Sequence, residues 1–252
     1  MQNNDPYMIF MDMPLFSKIR LLLCAVLLAL TANIQAEVYL VSVGVSDYPG
    51  KQYDLRLPAA DAQSISQLYE TNNKAHVTLL INEKATKDGI IKEMNNMFAK
   101  ASRDDIVVFF FSGHGAPGVF NVYDGNLKYD DIVKAMASSK SINKMIFADA
   151  CFSGKIRQNN NTTGQNDKLN VMLFLSSRSN EYSIERRDMK NGLFTSCLIR
   201  CLKGGSDFNK DRIITAKELY EGVRSGVVEL SKDEQHPVMW GNFSDDMPVM
   251  KW

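Results

Sequence analysis

The sequence lacks the features that identify nucleic-acid-binding, disulfide-rich, repeat and membrane-spanning proteins. Its 252 residues include 29 basic and 29 acidic side chains, so it has no net charge, whereas nucleic-acid binding requires a basic surface. Only four cysteines are present, and the spacing of Cys197 and Cys201 predicts two core thiols on one helix face, not a cystine scaffold. We find no internal repeat and, beyond the N-terminus, no apolar run long enough to span a membrane. The composition is that of an ordinary globular protein.

The N-terminal segment has the pattern of a secretory signal peptide. Two basic residues precede a short apolar run at residues 21–31, and the segment ends on a small residue, Ala36. The run is too short for a comfortable membrane span. We therefore expect residues 1–36 to be removed, and residues 37–252 to form an exported domain that is periplasmic or secreted.

The remaining chain alternates between strand patterns and helix patterns. Alternation of this kind predicts a mostly parallel sheet with helices on both faces. A short hairpin is predicted at residues 118–123. The predicted strands are 38–45, 77–81, 106–111, 144–150, 171–176 and 237–240, and the predicted helices are 58–71, 86–102, 129–139, 192–202 and 215–230.

Two of the predicted strands end in a reactive residue next to glycine. The strand at 106–111 is an unbroken apolar run, typical of a strand buried on both faces, and it stops at Ser-Gly-His-Gly around His114. The strand at 144–150 stops in the same way at Cys151-Phe-Ser-Gly. Ligands of open α/β sheets bind at the carboxyl ends of the strands. The sequence therefore predicts that His114 and Cys151 share a site.

A histidine beside a cysteine supplies the chemistry of a thiol nucleophile. The thiolate is the reactive species, and the His114 imidazole can take the Cys151 proton and later deliver it to a leaving amine. The backbone N–H groups of Gly115 and Cys151 are candidates for binding the oxyanion of a tetrahedral intermediate. Taken singly, either residue could be structural, a turn histidine or a core thiol. The matched pair favours catalysis.

The two motifs together resemble those of the caspase-like cysteine peptidases. Phe-Ser-Gly-His-Gly followed by Asp-Ala-Cys-Phe-Ser-Gly is most similar to the metacaspases and their bacterial relatives. True caspases have a Gln-Ala-Cys motif, and Asp149 stands here in place of that glutamine. The resemblance extends over about residues 38–240. It implies a caspase-like three-layer α/β/α sandwich with a mostly parallel six-stranded sheet, and a cysteine endopeptidase with a His/Cys dyad.

Asp149 indicates the substrate class. It lies two residues before Cys151, on the same face of a buried strand, and a buried carboxylate is costly unless it is paired. Its partner is either a structural arginine or a cationic substrate side chain. The resemblance to metacaspases implies an acidic pocket for arginine or lysine formed by Asp61, Ser112 and Asp149. Asp61 has the alternative of facing solvent in the first turn of a helix. Ser176 is a candidate for contact with the substrate backbone.

A polar, asparagine-rich segment at residues 155–170 interrupts the alternating pattern. Segments of this composition form surface loops or linkers. The resemblance implies a linker that is cut during activation, and an ordinary flexible loop is the alternative.

A further segment matches the spacing of a calcium loop. It has oxygen ligands at the expected positions, Asp207, Asn209, Asp211, the Ile213 carbonyl and Glu218. Its sixth position should be glycine and is Arg212. A helix cap explains the glutamate equally well, because Thr215-Ala-Lys-Glu is a capping box. The segment therefore predicts either a Ca²⁺ site or a capped turn without metal. The His114–Cys151 dyad requires no cofactor.

Two functions compete with an exported peptidase that cleaves after arginine or lysine. One is a non-proteolytic binding or regulatory module that keeps the fold, which the loss of His114 or Cys151 would have favoured. The other is an aspartate-specific, caspase-type peptidase, which Asp149 opposes because its charge would repel an acidic side chain. The expected partner is a protein or peptide with a basic residue before the cut bond.

Overall fold

The computed structural model describes residues 36–71, 74–150, 171–178 and 188–251. The predicted signal peptide, Cys151 and the segment 155–170 lie outside these residues. The described residues form eleven strands and five α-helices. The strands are β1 (Val38–Gly44), β2 (Ala75–Ile81), β3 (Ile106–Gly113), β4 (Gly115–Ala116), β5 (Val119–Val122), β6 (Gly125–Lys128), β7 (Asn143–Ala150), β8 (Val171–Leu175), β9 (Ile213–Thr215), β10 (Val238–Trp240) and β11 (Pro248–Lys251). The helices are α1 (Pro58–Glu70), α2 (Lys87–Phe98), α3 (Tyr129–Ala137), α4 (Leu193–Arg200) and α5 (Ala216–Leu230).

Six strands form the central sheet in the order β10-β8-β7-β3-β1-β2. The five strands from β8 to β2 pair in parallel, and β10 runs antiparallel to β8. This arrangement confirms the predicted mostly parallel, six-stranded sheet flanked by helices. The central strands β1, β3 and β7 are buried along their whole length, as their continuous apolar runs predict.

Two hydrophobic cores cover the two faces of the sheet. Alternate residues of β3 belong to different cores, because successive side chains of a strand point to opposite faces. Phe109 and Phe111 pack in the core that includes α2 and α3, whereas Phe110 packs in the core that includes α1, α4 and α5. Truncating a buried phenylalanine typically costs about 3–5 kcal/mol. The run of three phenylalanines therefore fixes β3, and with it the turn that follows, from both sides.

Apart from shifts of about two residues at the ends of other elements, the structure differs from the predicted elements in three places. Helix α2 ends at Phe98 and not at residue 102, because the Asp105 carboxylate accepts the Ser102 N–H (2.7 Å) and turns the chain toward β3. The predicted hairpin is part of a three-stranded sheet, β4-β5-β6. The ribbon formed by β9 and β11 was not predicted, since three- and four-residue strands have too short a pattern.

Cys197 and Cys201 are buried and not bonded to each other, as predicted for core thiols. Burial raises the pKa of the Cys197 thiol to about 11, so it is a poor nucleophile. Among the described residues, no helix is long and apolar enough to cross a membrane.

Candidate active site

The candidate site lies where β1, β3 and β7 end. Gly44, Ser112 and Asp149 are aligned across these neighbouring strands, and Gly113 is aligned with Ala150. Because the strands are parallel and in register, β3 and β7 end at the same edge of the sheet. In the sequence, His114 follows directly after β3, and Cys151 follows directly after β7. Cys151 itself is outside the described residues. The contacts of the candidate base, His114, are defined.

The contacts of His114 determine which ring nitrogen carries its proton. Nε2 lies 2.9 Å from the Tyr53 carbonyl oxygen. A carbonyl oxygen can only accept a hydrogen bond, so Nε2 must be the protonated nitrogen in the neutral ring. Nδ1 then has the free lone pair that a general base needs. Gly115, the candidate oxyanion donor, comes next in the chain and begins β4.

A second tyrosine, Tyr48, holds the His114 backbone. Like Tyr53, it lies in the loop between β1 and α1, residues 45–57. The His114 N–H donates to Tyr48 Oη (2.9 Å), and the two rings lie 5.0 Å apart at 45°. Gly113 makes this approach possible, because a Cβ at its position would lie 2.7 Å from the Tyr48 hydroxyl oxygen. Neither Tyr48 nor Tyr53 was predicted. Tyr53 contributes a backbone atom, which leaves no signal in a sequence, and the only signal for Tyr48 was its place soon after a buried strand.

Asp61 is buried in the first turn of α1, with 1% of its surface exposed, and does not face solvent. Its Oδ2 accepts the Ser112 hydroxyl (2.8 Å). Its Oδ1 accepts the Gly192 N–H (2.8 Å) and the Asn191 side-chain amide (3.0 Å). Two of the three predicted pocket residues, Asp61 and Ser112, are thus in direct contact.

Asp149 is the third predicted pocket residue, and it lies beside the first two. It is aligned with Ser112 across β3 and β7. Its Oδ2 accepts the backbone N–H (3.1 Å) and the hydroxyl (2.8 Å) of Thr195 at the start of α4. A Cβ on Gly192 would lie 2.5 Å from Asp149 Oδ2 and 3.1 Å from Asp61 Oδ2, so glycine leaves room for both carboxylates. Gly192 and Thr195 were not predicted, because they are distant in sequence.

The two carboxylates destabilise each other's charged forms. Burial raises the pKa of Asp61 well above its usual value, and the nearby Asp149 charge raises that pKa further. The hydrogen bonds from Gly192, Ser112 and Asn191 act in the opposite direction and only partly offset the increase. A cation placed between two such carboxylates would relieve both the desolvation and the repulsion.

Ser176 supports the strand that leads to Cys151. It is fully buried, and its Oγ accepts the Ala150 N–H and donates to the Ala150 carbonyl, both at 3.2 Å. The Gln235 side-chain amide donates to the Ser176 carbonyl (2.8 Å). These contacts brace the residue immediately before Cys151. A contact between Ser176 and substrate stays a prediction.

The predicted calcium loop is a turn stabilised by its own backbone. The carboxylate of Asp207 accepts the N–H groups of Asp211 and Arg212, and Arg212 has a positive φ of 67° where the calcium motif has glycine. Glu218 is engaged in a capping box with Thr215. Among the described residues, no three acidic, histidine or cysteine side chains are gathered as a metal site. Calcium binding at this loop stays a prediction.

Asp61→Asn tests the electrostatics of the acidic pair. The amide can keep its oxygen toward Gly192 and Asn191 and donate its N–H to the Ser112 hydroxyl. In the unfolded chain the Asp61 carboxyl has a pKa of about 4, and folding raises this pKa. Its contribution to stability is therefore full below about pH 4 and is lost as the pH rises through the folded pKa. We expect the free energy of unfolding of the variant, relative to wild type, to increase with pH across this window in urea titrations. A difference that is constant with pH would contradict the raised pKa.

Comparison with known proteins identifies the family to which the chain belongs. A crystal structure of a protein from Geobacter sulfurreducens matches with a TM-score of 0.63 at 17% identity, over 85% of this chain and 97% of that chain. Caspase-1 from Spodoptera frugiperda matches with a TM-score of 0.61 at 15% identity, over 84% and 89% of the two chains. No curated protein matches in sequence. The model of the caspase domain matches residues 39–247, so the chain belongs to the caspase domain family, which consists of cysteine peptidases.

Proposed function

We propose that the protein is an exported cysteine endopeptidase that uses His114 and Cys151 as a dyad and cleaves after arginine or lysine. The observation that carries the proposal is the hydrogen bond from His114 Nε2–H to the Tyr53 carbonyl (2.9 Å), which leaves Nδ1 as the free base. His114 follows β3, and Cys151 follows the adjacent parallel strand β7. This is the arrangement expected of a nucleophile and its base, with the base oriented by a third group.

The proposed reaction needs only groups of the chain and a water molecule. His114 Nδ1 takes the thiol proton, and the Cys151 thiolate attacks the scissile carbonyl carbon, whose oxygen becomes an oxyanion. The N–H groups of Gly115 and Cys151 are the candidate donors to that oxyanion. Collapse of the intermediate breaks the C–N bond, and His114 Nδ1–H gives its proton to the leaving amine. Water, deprotonated by Nδ1, then hydrolyses the thioester and restores the thiol.

The acidic pair supports a preference for a basic residue before the cut bond. Asp61 and Asp149 are both buried beside the strand end that precedes Cys151, at 1% and 6% exposure. Asp61 accepts hydrogen bonds from Ser112, Asn191 and Gly192, and Asp149 accepts two from Thr195. A guanidinium would add positive charge and two parallel hydrogen bonds, so arginine is expected to be preferred to lysine. An aspartate side chain would increase the repulsion.

Removing the nucleophile tests the enzyme function directly. We expect Cys151→Ala to abolish cleavage of Arg- and Lys-containing fluorogenic peptides while leaving the thermal unfolding curve unchanged. His114→Ala should lose nearly as much activity, and the double variant little more, since residues that act as a unit are not additive. Full turnover by Cys151→Ala would rule out Cys151 as the nucleophile, whereas a wild type without turnover would favour a binding module.

Asp149→Asn tests the specificity. Matched peptides with arginine or its neutral isostere citrulline before the cut bond isolate the charge. Wild type should favour arginine by about 10²-fold or more in kcat/KM, because citrulline keeps the shape and most N–H donors of arginine but lacks the charge that two carboxylates attract. Asp149→Asn should remove most of this ratio. Asp105→Asn is the control, since Asp105 is buried at the opposite end of β3. Preference of wild type for aspartate peptides would refute the pocket.

Export is supported by the place of the residue that would begin the mature chain. The Glu37 N–H donates to Asp105 Oδ1 (2.8 Å), and the Glu37 carboxylate contacts the Tyr39 hydroxyl (3.0 Å) and His76 Nε2 (2.9 Å). A cut after Ala36 would turn this N–H into an ammonium group beside the Asp105 carboxylate, where its charge is compensated. N-terminal sequencing of protein from the extracytoplasmic fraction should begin at Glu37. Cytosolic protein that retains Met1 or Met11 would contradict export.

A further inference from the structure

We propose that Tyr48 is a positioning residue for His114, and that its hydroxyl group fixes the imidazole by replacing one bond of a β-ladder. The inference rests on the proposed function, because it assigns a role in the reaction of the His114–Cys151 dyad. Tyr48 contacts the backbone N–H and the ring of His114. Its effect is on where the general base is held.

The key geometry is an interrupted strand pair. Gly115 pairs with Phe120 and Ala116 with Val119 in the antiparallel ladder of β4 and β5, so His114 and Asn121 are the next pair in register. A complete pair of this kind exchanges two N–H···O bonds. One is present, from the Asn121 N–H to the His114 carbonyl (2.9 Å). The other is replaced by a relay through Tyr48.

Tyr48 Oη occupies the position of the missing bond. It accepts the His114 N–H (2.9 Å) and donates to the Asn121 carbonyl (3.0 Å). The inserted hydroxyl holds the two strands further apart at His114 than a direct bond would, and it satisfies both backbone groups that the gap exposes. The ladder accordingly begins only at Gly115. The histidine is thereby held outside the ladder at the end of β3.

Two of the three hydrogen bonds that hold His114 come from one loop. The backbone N–H of His114 is held by the Tyr48 side chain, and its Nε2 is held by the Tyr53 carbonyl. The loop is closed between them, because the Tyr48 N–H donates to Asp54 Oδ1 (3.1 Å). Loss of the hydroxyl removes one of the three hydrogen bonds and leaves the bonds to Tyr53 and Asn121. The ring can then move relative to the Tyr53 carbonyl that selects its tautomer.

The hydroxyl acts as a hydrogen-bond relay and not as an acid or base. Burial raises the pKa of Tyr48 to about 12, so the group keeps its proton over the working pH range of a peptidase. It can therefore donate to Asn121 at every pH at which the dyad operates. Any pH effect of changing Tyr48 must then be expressed through the dyad.

Tyr48→Phe is the variant that isolates this role, since it keeps the aromatic ring against His114 and removes only the hydroxyl. We expect kcat for an arginine peptide to fall by about 10- to 100-fold, because small misplacement of a catalytic group has effects of this size. KM should change by less than about twofold, because no substrate contact is removed. The pH dependence of Cys151 alkylation by iodoacetamide should shift, since it reports the state of the dyad. The control is Tyr39→Phe, whose hydroxyl donates to Glu37 at the other end of β1, and which should match wild type.

A second measurement does not depend on turnover. The chain contains three histidines, so their imidazole ¹⁵N signals can be assigned by single substitutions. Wild-type His114 should be the Nε2–H tautomer, and Tyr48→Phe should show a mixture of both tautomers. Should Tyr48→Phe not fold, Gly113→Ala displaces the same hydroxyl, because its methyl group would lie 2.7 Å from Tyr48 Oη, and also 2.9 Å from the Phe111 ring. It should give the same loss of kcat and the same mixture.

The outcomes separate the two proposals. An active wild type whose Tyr48→Phe variant has unchanged kcat, alkylation profile and tautomer would overturn the role of Tyr48 alone. Loss of stability with unchanged kcat would also overturn it, because the residue would then be structural only. A wild type no more active than Cys151→Ala would overturn the proposed function, and the role of Tyr48 with it.

Discussion

The candidate site depends on the register of three buried parallel strands. Because β1, β3 and β7 are aligned at Gly44, Ser112 and Asp149, their polar ends meet at one edge of the sheet although they are far apart in sequence. A register shift by one residue would turn each of these side chains to the opposite face. The two hydrophobic cores oppose such a shift, since every residue of these strands is buried and each face accepts only its own set of apolar side chains. The packing of the cores therefore helps to fix the relative positions of His114 and Asp149, in addition to their polar contacts.

The acidic pair shows how that rigid frame can hold an unfavourable arrangement. Asp61 and Asp149 raise the cost of each other's charge, yet the structure keeps both buried by supplying donors from the start of α4. A carboxylate accepts backbone N–H groups well at a helix N-terminus. The same donors draw α4 against the ends of β3 and β7, so the pair links a late helix to the early strands. Stability alone would favour a single acid or an amide here. A cationic ligand would offset the free-energy cost of burying two acids. Arrangements that lower stability in this way are expected at functional sites.

Sequence patterns predicted those parts of the site that follow from strand periodicity. His114, Cys151 and Asp149 were identifiable because each adjoins the end of a long apolar run, and β3 and β7 were found within two residues of their ends. Asp61 was ambiguous, since the first turn of a helix can face either solvent or a neighbouring strand, and only tertiary packing decides. The supporting groups were not predictable. Tyr53 acts through a backbone carbonyl, Gly192 through the absence of a side chain, and Thr195 through a contact with a residue 46 positions away. None of these has a local pattern.

The loop between β1 and α1 links His114, the base in the proposed function, to the turn that follows the edge strand β2. It provides two of the three hydrogen bonds that hold His114, and it is itself held by Asn82 from the turn after β2. Asn82 Oδ1 accepts the N–H groups of Ser46 (2.9 Å) and Asp47 (3.2 Å), and the residue adopts a left-handed φ of 49° to do so. Asparagine is one of the few side chains that tolerate this conformation. The orientation of the base is thus set through a chain of contacts from Asn82 to the loop and from the loop to the imidazole. In the proposed function the nucleophile follows a different strand, β7, so the proposed dyad requires both the loop and the sheet to be in place.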